Sequence, residues 1–206
     1  MLAHPVLIEI IDSMILVSIH PFDPRKIFLL IAALVCFVVS ACFAQPVLLS
    51  VPHTPYDRQM TRIQPVLTSK AEGSKESVSL TLVNHWIQGL RGIPYGFSQE
   101  WKTPKEVETA PVADCKGKAV ALYQKMHEHG ARNVRLVIGR RLPTSGKTHA
   151  WLEWSTDNGT YVLDPTILWT ACRTDELANN SYKPLYAYAG AQRFRAVDSG
   201  ALVAKN

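Results

Sequence analysis

Clustered charge is scarce in this chain of 206 residues. Asp, Glu, Lys and Arg make up 19% of the sequence, and the basic residues are scattered apart from the pair Arg140 and Arg141. A nucleic-acid-binding domain typically gathers Lys and Arg on one face, with aromatic residues between them. The formal net charge of +5 therefore does not indicate a nucleic-acid partner.

The common zinc motifs are also absent. The four cysteines form no CxxC pair, and the sequence contains no HExxH. His127 and His129 lie two positions apart on a predicted helix, whereas helical residues that share a face are three or four positions apart. The sequence predicts neither a structural nor a catalytic zinc site, and it indicates no cofactor.

The main apolar run lies near the amino terminus. A basic pair, the stretch IFLLIAALVCFVV and then small residues occupy positions 25–44, an order typical of an export signal. We therefore interpret residues 1–44 as a signal segment with an atypical leader. Cleavage after Ala44 and lipidation at Cys42, as in a bacterial lipoprotein, both fit the sequence, and either would place the mature protein in the periplasm or cell envelope. An uncleaved membrane anchor is a third interpretation.

The rest of the chain divides into a lead-in and a domain. Residues 45–77 contain four prolines among polar residues, which predicts an extended linker. Residues 78–206 are predicted to form the folded domain. It contains two helical segments, SVSLTLVNHWIQGLRGI and CKGKAVALYQKMHEHGA, and then three strand-like segments, VRLVIGRRL, HAWLEWS and TYVLDPT. The pattern predicts helices followed by three strands of an antiparallel sheet.

Cys115 is the candidate nucleophile. It follows Asp114, a suitable N-cap, and so lies in the first turn of the second predicted helix. The free amides and positive dipole of a helix start favour a thiolate and can bind an oxyanion. A lone helical cysteine is more often a small buried apolar residue, so the assignment depends on its partners.

Two later residues can supply those partners. His149 begins one predicted strand, Asp164 ends the next, and a short hairpin at residues 157–159 would bring both to one end of the sheet. His149 could then act as the base and Asp164 could orient it. A structural strand histidine and an Asp-Pro turn are the alternative interpretations.

Four sequence blocks resemble the transglutaminase-like superfamily, and especially the bacterial transglutaminase-like cysteine peptidases. They are WKTPKE at 101–106, DC at 114–115, HAWLE at 149–153 and YVLDPT at 161–166. The resemblance covers roughly residues 80–170 and implies a papain-like α+β fold whose nucleophile helix packs on an antiparallel sheet. It assigns Cys115 as nucleophile, His149 as general base and acid, and Asp164 as the orienting residue.

The implied activity is that of an exported thiol protease or amidase, a hydrolase that acts on a protein or peptide through a thioester. Two alternatives use the same domain. One is a protein-glutamine amine transferase that crosslinks proteins, and the other is a non-catalytic binding module in the bacterial envelope, associated with the membrane through its amino terminus.

Two details of the family pattern differ or stay open here. Peptidase members typically have acidic residues just after the cysteine, which in some belong to a calcium site, whereas this chain has Lys116 and Gly117. Calcium needs oxygen ligands, so no metal is expected at this place.

The second oxyanion donor of the family generally lies upstream of the cysteine, and the candidates in this chain are Gln99 and Trp101. Trp101 could equally be a packing residue and Gln99 a solvated loop residue.

Overall fold

The computed structural model describes residues 46–69, 78–142, 146–178 and 181–197. The predicted signal segment 1–44, with its cleavage site after Ala44 and its lipidation candidate Cys42, lies outside the described residues. Within the described residues, no helix is both long enough and apolar enough to cross a membrane.

The described residues form seven strands, four α-helices and one short 3-10 helix, Thr61–Ile63. The helices are α1 (Gln64–Thr68), α2 (Leu80–Gly92), α3 (Pro104–Thr109) and α4 (Cys115–Glu128). The strands are β1 (Val47–Ser50), β2 (Val134–Arg141), β3 (Thr148–Thr156), β4 (Gly159–Leu163), β5 (Cys172–Arg173), β6 (Tyr182–Ala189) and β7 (Gln192–Val197).

All the strands belong to one antiparallel sheet, in the order β1-β7-β6-β2-β3-β4-β5. The three strands predicted from the sequence are adjacent in it as β2, β3 and β4. A two-residue turn joins β3 to β4, and Gly159 at its end has a φ of 115°, a conformation that glycine adopts without strain. The predicted antiparallel sheet is thus confirmed.

Helix α4 lies on one face of this sheet. Asp114 caps its first turn by accepting a hydrogen bond from Gly117 N at 3.0 Å. Its buried face includes Ala119, Leu122 and Met126, each of them fully enclosed in the core. Burial of these apolar side chains fixes the helix, and therefore Cys115 at its start, relative to β2 and β3.

The segment 46–69 is folded onto the domain, which differs from the predicted linker. Its first residues form β1, which pairs with β7, and three of its side chains, Met60, Ile63 and Leu67, are at most 1% exposed. Proline restricts the backbone locally but does not prevent the residues between prolines from entering a core. The packed part of the chain therefore begins well before residue 78.

The carboxyl-terminal part completes the sheet. Strands β6 and β7 form a hairpin whose turn contains Gly190, with a φ of 60°. Strand β6 pairs with β2 and β7 pairs with β1, so the hairpin lies inside the sheet and not at its edge. The aromatic residues of this region thereby reach the interior, where Tyr188 is 3% exposed.

Candidate active site

A cleft of about 760 Å³ opens where the start of α4 meets the start of β3. Cys115 and His149 both line it, together with the two oxyanion candidates Gln99 and Trp101. Asp164 lies behind His149 and is completely buried. The structure therefore brings the three predicted triad residues together in one place.

Cys115 is the first residue of α4 and is 9% exposed. Amides in the first turn of a helix have no acceptor within the helix. The side chain of Asp114 accepts a hydrogen bond from one of them, the amide of Gly117, two residues beyond the cysteine. The cap thus fixes the helix start at which Cys115 lies.

His149 is hydrogen-bonded through Nε2 to Oδ2 of Asp164 at 2.7 Å. Nδ1 is the ring nitrogen left for Cys115, whose side chain interacts with the imidazole and lines the same cleft. Burial lowers the pKa of His149, but hydrogen bonds to Asp164 and Cys115, with the negative charge of both groups, outweigh burial and raise the pKa to about 9. The imidazole is therefore held in its charged form at neutral pH.

Asp164 receives three hydrogen bonds on its carboxylate. His149 Nε2 and the Tyr182 hydroxyl, at 2.9 Å, both donate to Oδ2, and Thr166 N donates to Oδ1 at 3.0 Å. The backbone carbonyl of Asp164 also accepts from Leu168 N at 2.9 Å. The residue thus begins a turn and also contacts the histidine, so both interpretations of the Asp-Pro pair describe it.

A glycine on β2 makes room for the aromatic residue beside His149. Gly139 pairs with His149 across the sheet at an irregularity between β2 and β6. A Cβ at position 139 would lie 2.4 Å from the Trp151 ring and 2.2 Å from the carbonyl oxygen of Lys183. Trp151 in turn stacks on His149 with ring centroids 6.1 Å apart. The glycine was not identified from the sequence, because only its cross-strand partners reveal its role.

The two oxyanion candidates differ in their surroundings. Gln99 is exposed on the cleft wall. Trp101 is 1% exposed, and its indole N–H is buried without a hydrogen-bond acceptor among the described residues. A buried donor is rarely left unsatisfied unless a ligand or water completes it. Trp101 lines the cleft and has an N–H that no described residue accepts, whereas Gln99 is a solvated residue on the same wall.

The residues around the helix start do not suit a calcium ion. The ammonium of Lys116 contacts Oδ2 of Asp114 and also donates to the carbonyl oxygen of Ser98 at 2.7 Å. A cation would have to displace this ammonium, and Gly117 has no side chain to replace the lost ligand. Across the part of the chain that the structure describes, no group of three or more His, Cys, Asp or Glu residues is arranged to hold a metal.

Sequence reasoning missed two residues near the site. Tyr182 was not identified from the sequence as a site residue, yet its hydroxyl donates a hydrogen bond to Asp164. Lys118 is 2% exposed and donates to the carbonyl oxygen of Ile93 at 2.6 Å. Burial lowers the pKa of Lys118, the nearby Arg91 acts in the same direction, and Asp164 opposes them. The only signal in the sequence was a lysine on the apolar face of the helix, one turn after Cys115.

Comparison with known proteins gave structural matches only. No family model and no curated protein matches the sequence. EGTA-treated LapG of Legionella pneumophila superposes with a TM-score of 0.51 and 17% identity, over 73% of this chain and 86% of that chain. Calcium-bound LapG gives a TM-score of 0.49 and 16% identity, over 71% of this chain and 85% of that chain. The likeness to the EGTA-treated protein confirms the predicted α+β fold of the papain-like, transglutaminase-like type.

Proposed function

We propose that the protein is an exported cysteine peptidase or amidase in which Cys115, His149 and Asp164 act as the catalytic triad. The observation that carries the proposal is the placement of His149, which is hydrogen-bonded to Asp164 through Nε2 and interacts with Cys115, its neighbour in the cleft. A nucleophile, a base and a group that orients the base are the components of covalent acyl transfer. The fold shared with LapG, a transglutaminase-like cysteine protease, supports a peptidase-type activity.

The first chemical step forms a thioester. The thiolate of Cys115 attacks the carbonyl carbon of the substrate amide, and the oxygen that becomes negative is stabilised by the Cys115 amide and the Trp101 indole N–H. The carbon–nitrogen bond then breaks, and the His149 imidazolium gives its Nδ1 proton to the leaving amine. The amine departs with that proton, and the acyl group remains on sulfur.

The second step consumes water. The neutral imidazole of His149 takes a proton from a water molecule as its oxygen attacks the thioester carbon. The carbon–sulfur bond breaks, the acid is released, and the thiolate and imidazolium are restored. Water can reach the acyl group because the cleft rim is open, with Tyr95 59% and Phe97 75% exposed.

The substrate class and location follow from the cleft and the amino-terminal segment. A cleft of about 760 Å³ with an open rim can accept an extended peptide segment. The signal pattern at positions 25–44 supports action in the periplasm or cell envelope. The substrate we propose is therefore a protein or peptide of that compartment.

The proposal can be tested by the reactivity of Cys115 and by product analysis. Iodoacetamide should alkylate Cys115 at pH 6.5 at least about tenfold faster than it alkylates Cys115 in the His149→Ala variant, because the imidazolium that favours the thiolate is lost. Cys172→Ser removes the other described thiol and serves as the control. A mixed peptide library should give new carboxyl termini with the wild type and none with Cys115→Ser.

Two results would overturn the proposal. One is an alkylation rate of Cys115 that does not depend on His149. The other is a set of library products that the Cys115→Ser variant forms as fast as the wild type.

A further inference from the structure

The ammonium of Lys116 joins the start of α4 to the segment that forms one wall of the cleft. It contacts Oδ2 of Asp114, donates to the carbonyl oxygen of Ser98 at 2.7 Å, and lies 5.0 Å from the ring centroid of Phe97. The Lys116 side chain is 16% exposed and that of Asp114 is 1% exposed. The pair is therefore largely shielded from solvent and from salt.

Both backbone polar groups of Ser98, the N–H and the carbonyl oxygen, are hydrogen-bonded to residues at the start of α4. Its amide donates to Oδ2 of Asp114 at 3.2 Å, and its carbonyl oxygen accepts from Lys116. Just upstream, Gly96 N donates to the carbonyl oxygen of Ala113 at 3.3 Å. Hydrogen bonds thus attach the segment to Ala113 and Asp114, the two residues before Cys115.

Residues 95–101 form one wall of the cleft. Tyr95, Phe97, Gln99 and Trp101 alternate along the chain, and all four line the cleft. The segment bends at residues 99 and 100, so the four side chains are placed by its path along the cleft and not by a regular strand. The position of Ser98 therefore sets the position of the wall, including the Trp101 indole.

Charge makes the Lys116 contact more than an ordinary hydrogen bond. Without the ammonium, the buried carboxylate of Asp114 would keep two neutral amide donors, from Ser98 and Gly117, and would lose the cation in contact with it. A buried carboxylate that loses its counter-charge is strongly destabilised, and the segment can relieve this by moving away and admitting water. The positive charge therefore stabilises the contact between the wall and α4.

We propose that Lys116 is a positioning residue whose ammonium supplies the positive charge that fixes residues 95–101 against the Cys115 helix, so that the wall is ordered without any bound metal ion. The inference rests on the proposed hydrolase function for its catalytic consequence, but the ordering of the wall does not depend on that function. It also explains how a lysine can stand where a calcium-dependent site would need an acidic ligand.

Hydrogen exchange measured by mass spectrometry tests the ordering directly. In Lys116→Met, amides within residues 95–101 should exchange at least about tenfold faster than in the wild type, while those of β2 stay unchanged. Lys116→Arg should restore slow exchange, because it keeps the charge. Lys105→Met, which removes the same charge from an exposed site on α3, is the matched control. Addition of EGTA or of calcium chloride should leave the wild-type exchange unchanged.

Kinetics then separates a wall effect from a general loss of structure. For a cleaved peptide, Lys116→Met should lower kcat/KM at least about fivefold, through both KM and kcat because the wall includes Trp101, while iodoacetamide alkylation of Cys115 changes less than about twofold. Unchanged exchange at 95–101 in Lys116→Met, or faster wild-type exchange in EGTA, would refute the role of Lys116. If no peptide is cleaved by the wild type, the hydrolase proposal fails, whereas the exchange measurement still decides the role of Lys116.

Discussion

Tyr182 donates its hydroxyl hydrogen to the same carboxylate oxygen, Oδ2 of Asp164, that binds Nε2 of His149. Two donors thus share one oxygen at distances of 2.9 and 2.7 Å. The phenol is also fixed by an edge-on contact with Trp151, at a centroid distance of 5.2 Å. Burial raises the pKa of Tyr182 and the charge of Asp164 raises it further, so the phenol remains a donor at all pH values at which the enzyme would act.

Removal of this second donor should strengthen the bond between Asp164 and His149. In Tyr182→Phe, Oδ2 is no longer shared, so the imidazolium is stabilised and the pKa of His149 rises further above its ordinary value. The alkaline limb of the pH profile of kcat/KM should therefore move upward. Tyr186→Phe, on the same strand but packed against Tyr56, is the control. A limb that stays in place would show that Tyr182 serves only packing, and a limb that moves downward would contradict the expected effect on His149.

The histidine should also make stability depend on pH. Its folded-state pKa of about 9 lies above the ordinary value of 6.5, so the stabilisation is fully present below pH 6.5 and is lost as the pH rises through 9. The free energy of unfolding should fall over this interval by an amount on the order of 3 kcal/mol at most. Urea unfolding at several pH values measures it, and His149→Gln should flatten the dependence. An identical slope in the variant would contradict the prediction.

Trp101→Phe tests the indole N–H while it keeps most of the buried volume. If the N–H binds the oxyanion, kcat should fall by roughly 10² to 10³, with a much smaller change in KM. Trp154→Phe, another mostly buried tryptophan that packs against Tyr161, controls for the loss of packing. Gln99→Ala should change kcat less than about threefold. A larger loss of kcat in Gln99→Ala than in Trp101→Phe would instead assign the oxyanion donor to Gln99.

Gly139→Ala should destabilise the protein because its Cβ would meet the Lys183 carbonyl oxygen and the Trp151 ring well inside contact distance. Overpacking of this kind typically costs about 1 to 3 kcal/mol. Gly89→Ala, on the exposed side of α2 with open space around its Cβ, should instead stabilise by about 0.5 to 1 kcal/mol. Denaturant unfolding of both variants measures these changes. An equal change in the free energy of unfolding for the two variants would mean that β6 can move away from the new methyl group without loss of stability.

Much of the local structure could be predicted from the sequence. Asp114 before Cys115 specified a helix start, and the turn at residues 157–159 between two apolar runs specified a hairpin. These features depend on neighbours within a few positions, such as an N-cap oxygen and the amide three residues later. Because the hairpin sets where His149 and Asp164 lie, the pairing of these two residues was also accessible.

The sequence by itself determined which residues could form the helix, the central strands and the candidate triad. Only the tertiary structure decided that β6 lies beside β2, that Tyr182 reaches Asp164, and that Lys116 turns back to Ser98. A strand pattern with a period of two shows that a segment can pair but does not specify its partner, and a long lysine side chain can contact several neighbours. Those choices depend on packing between segments distant in the chain, and residue spacing alone does not encode them.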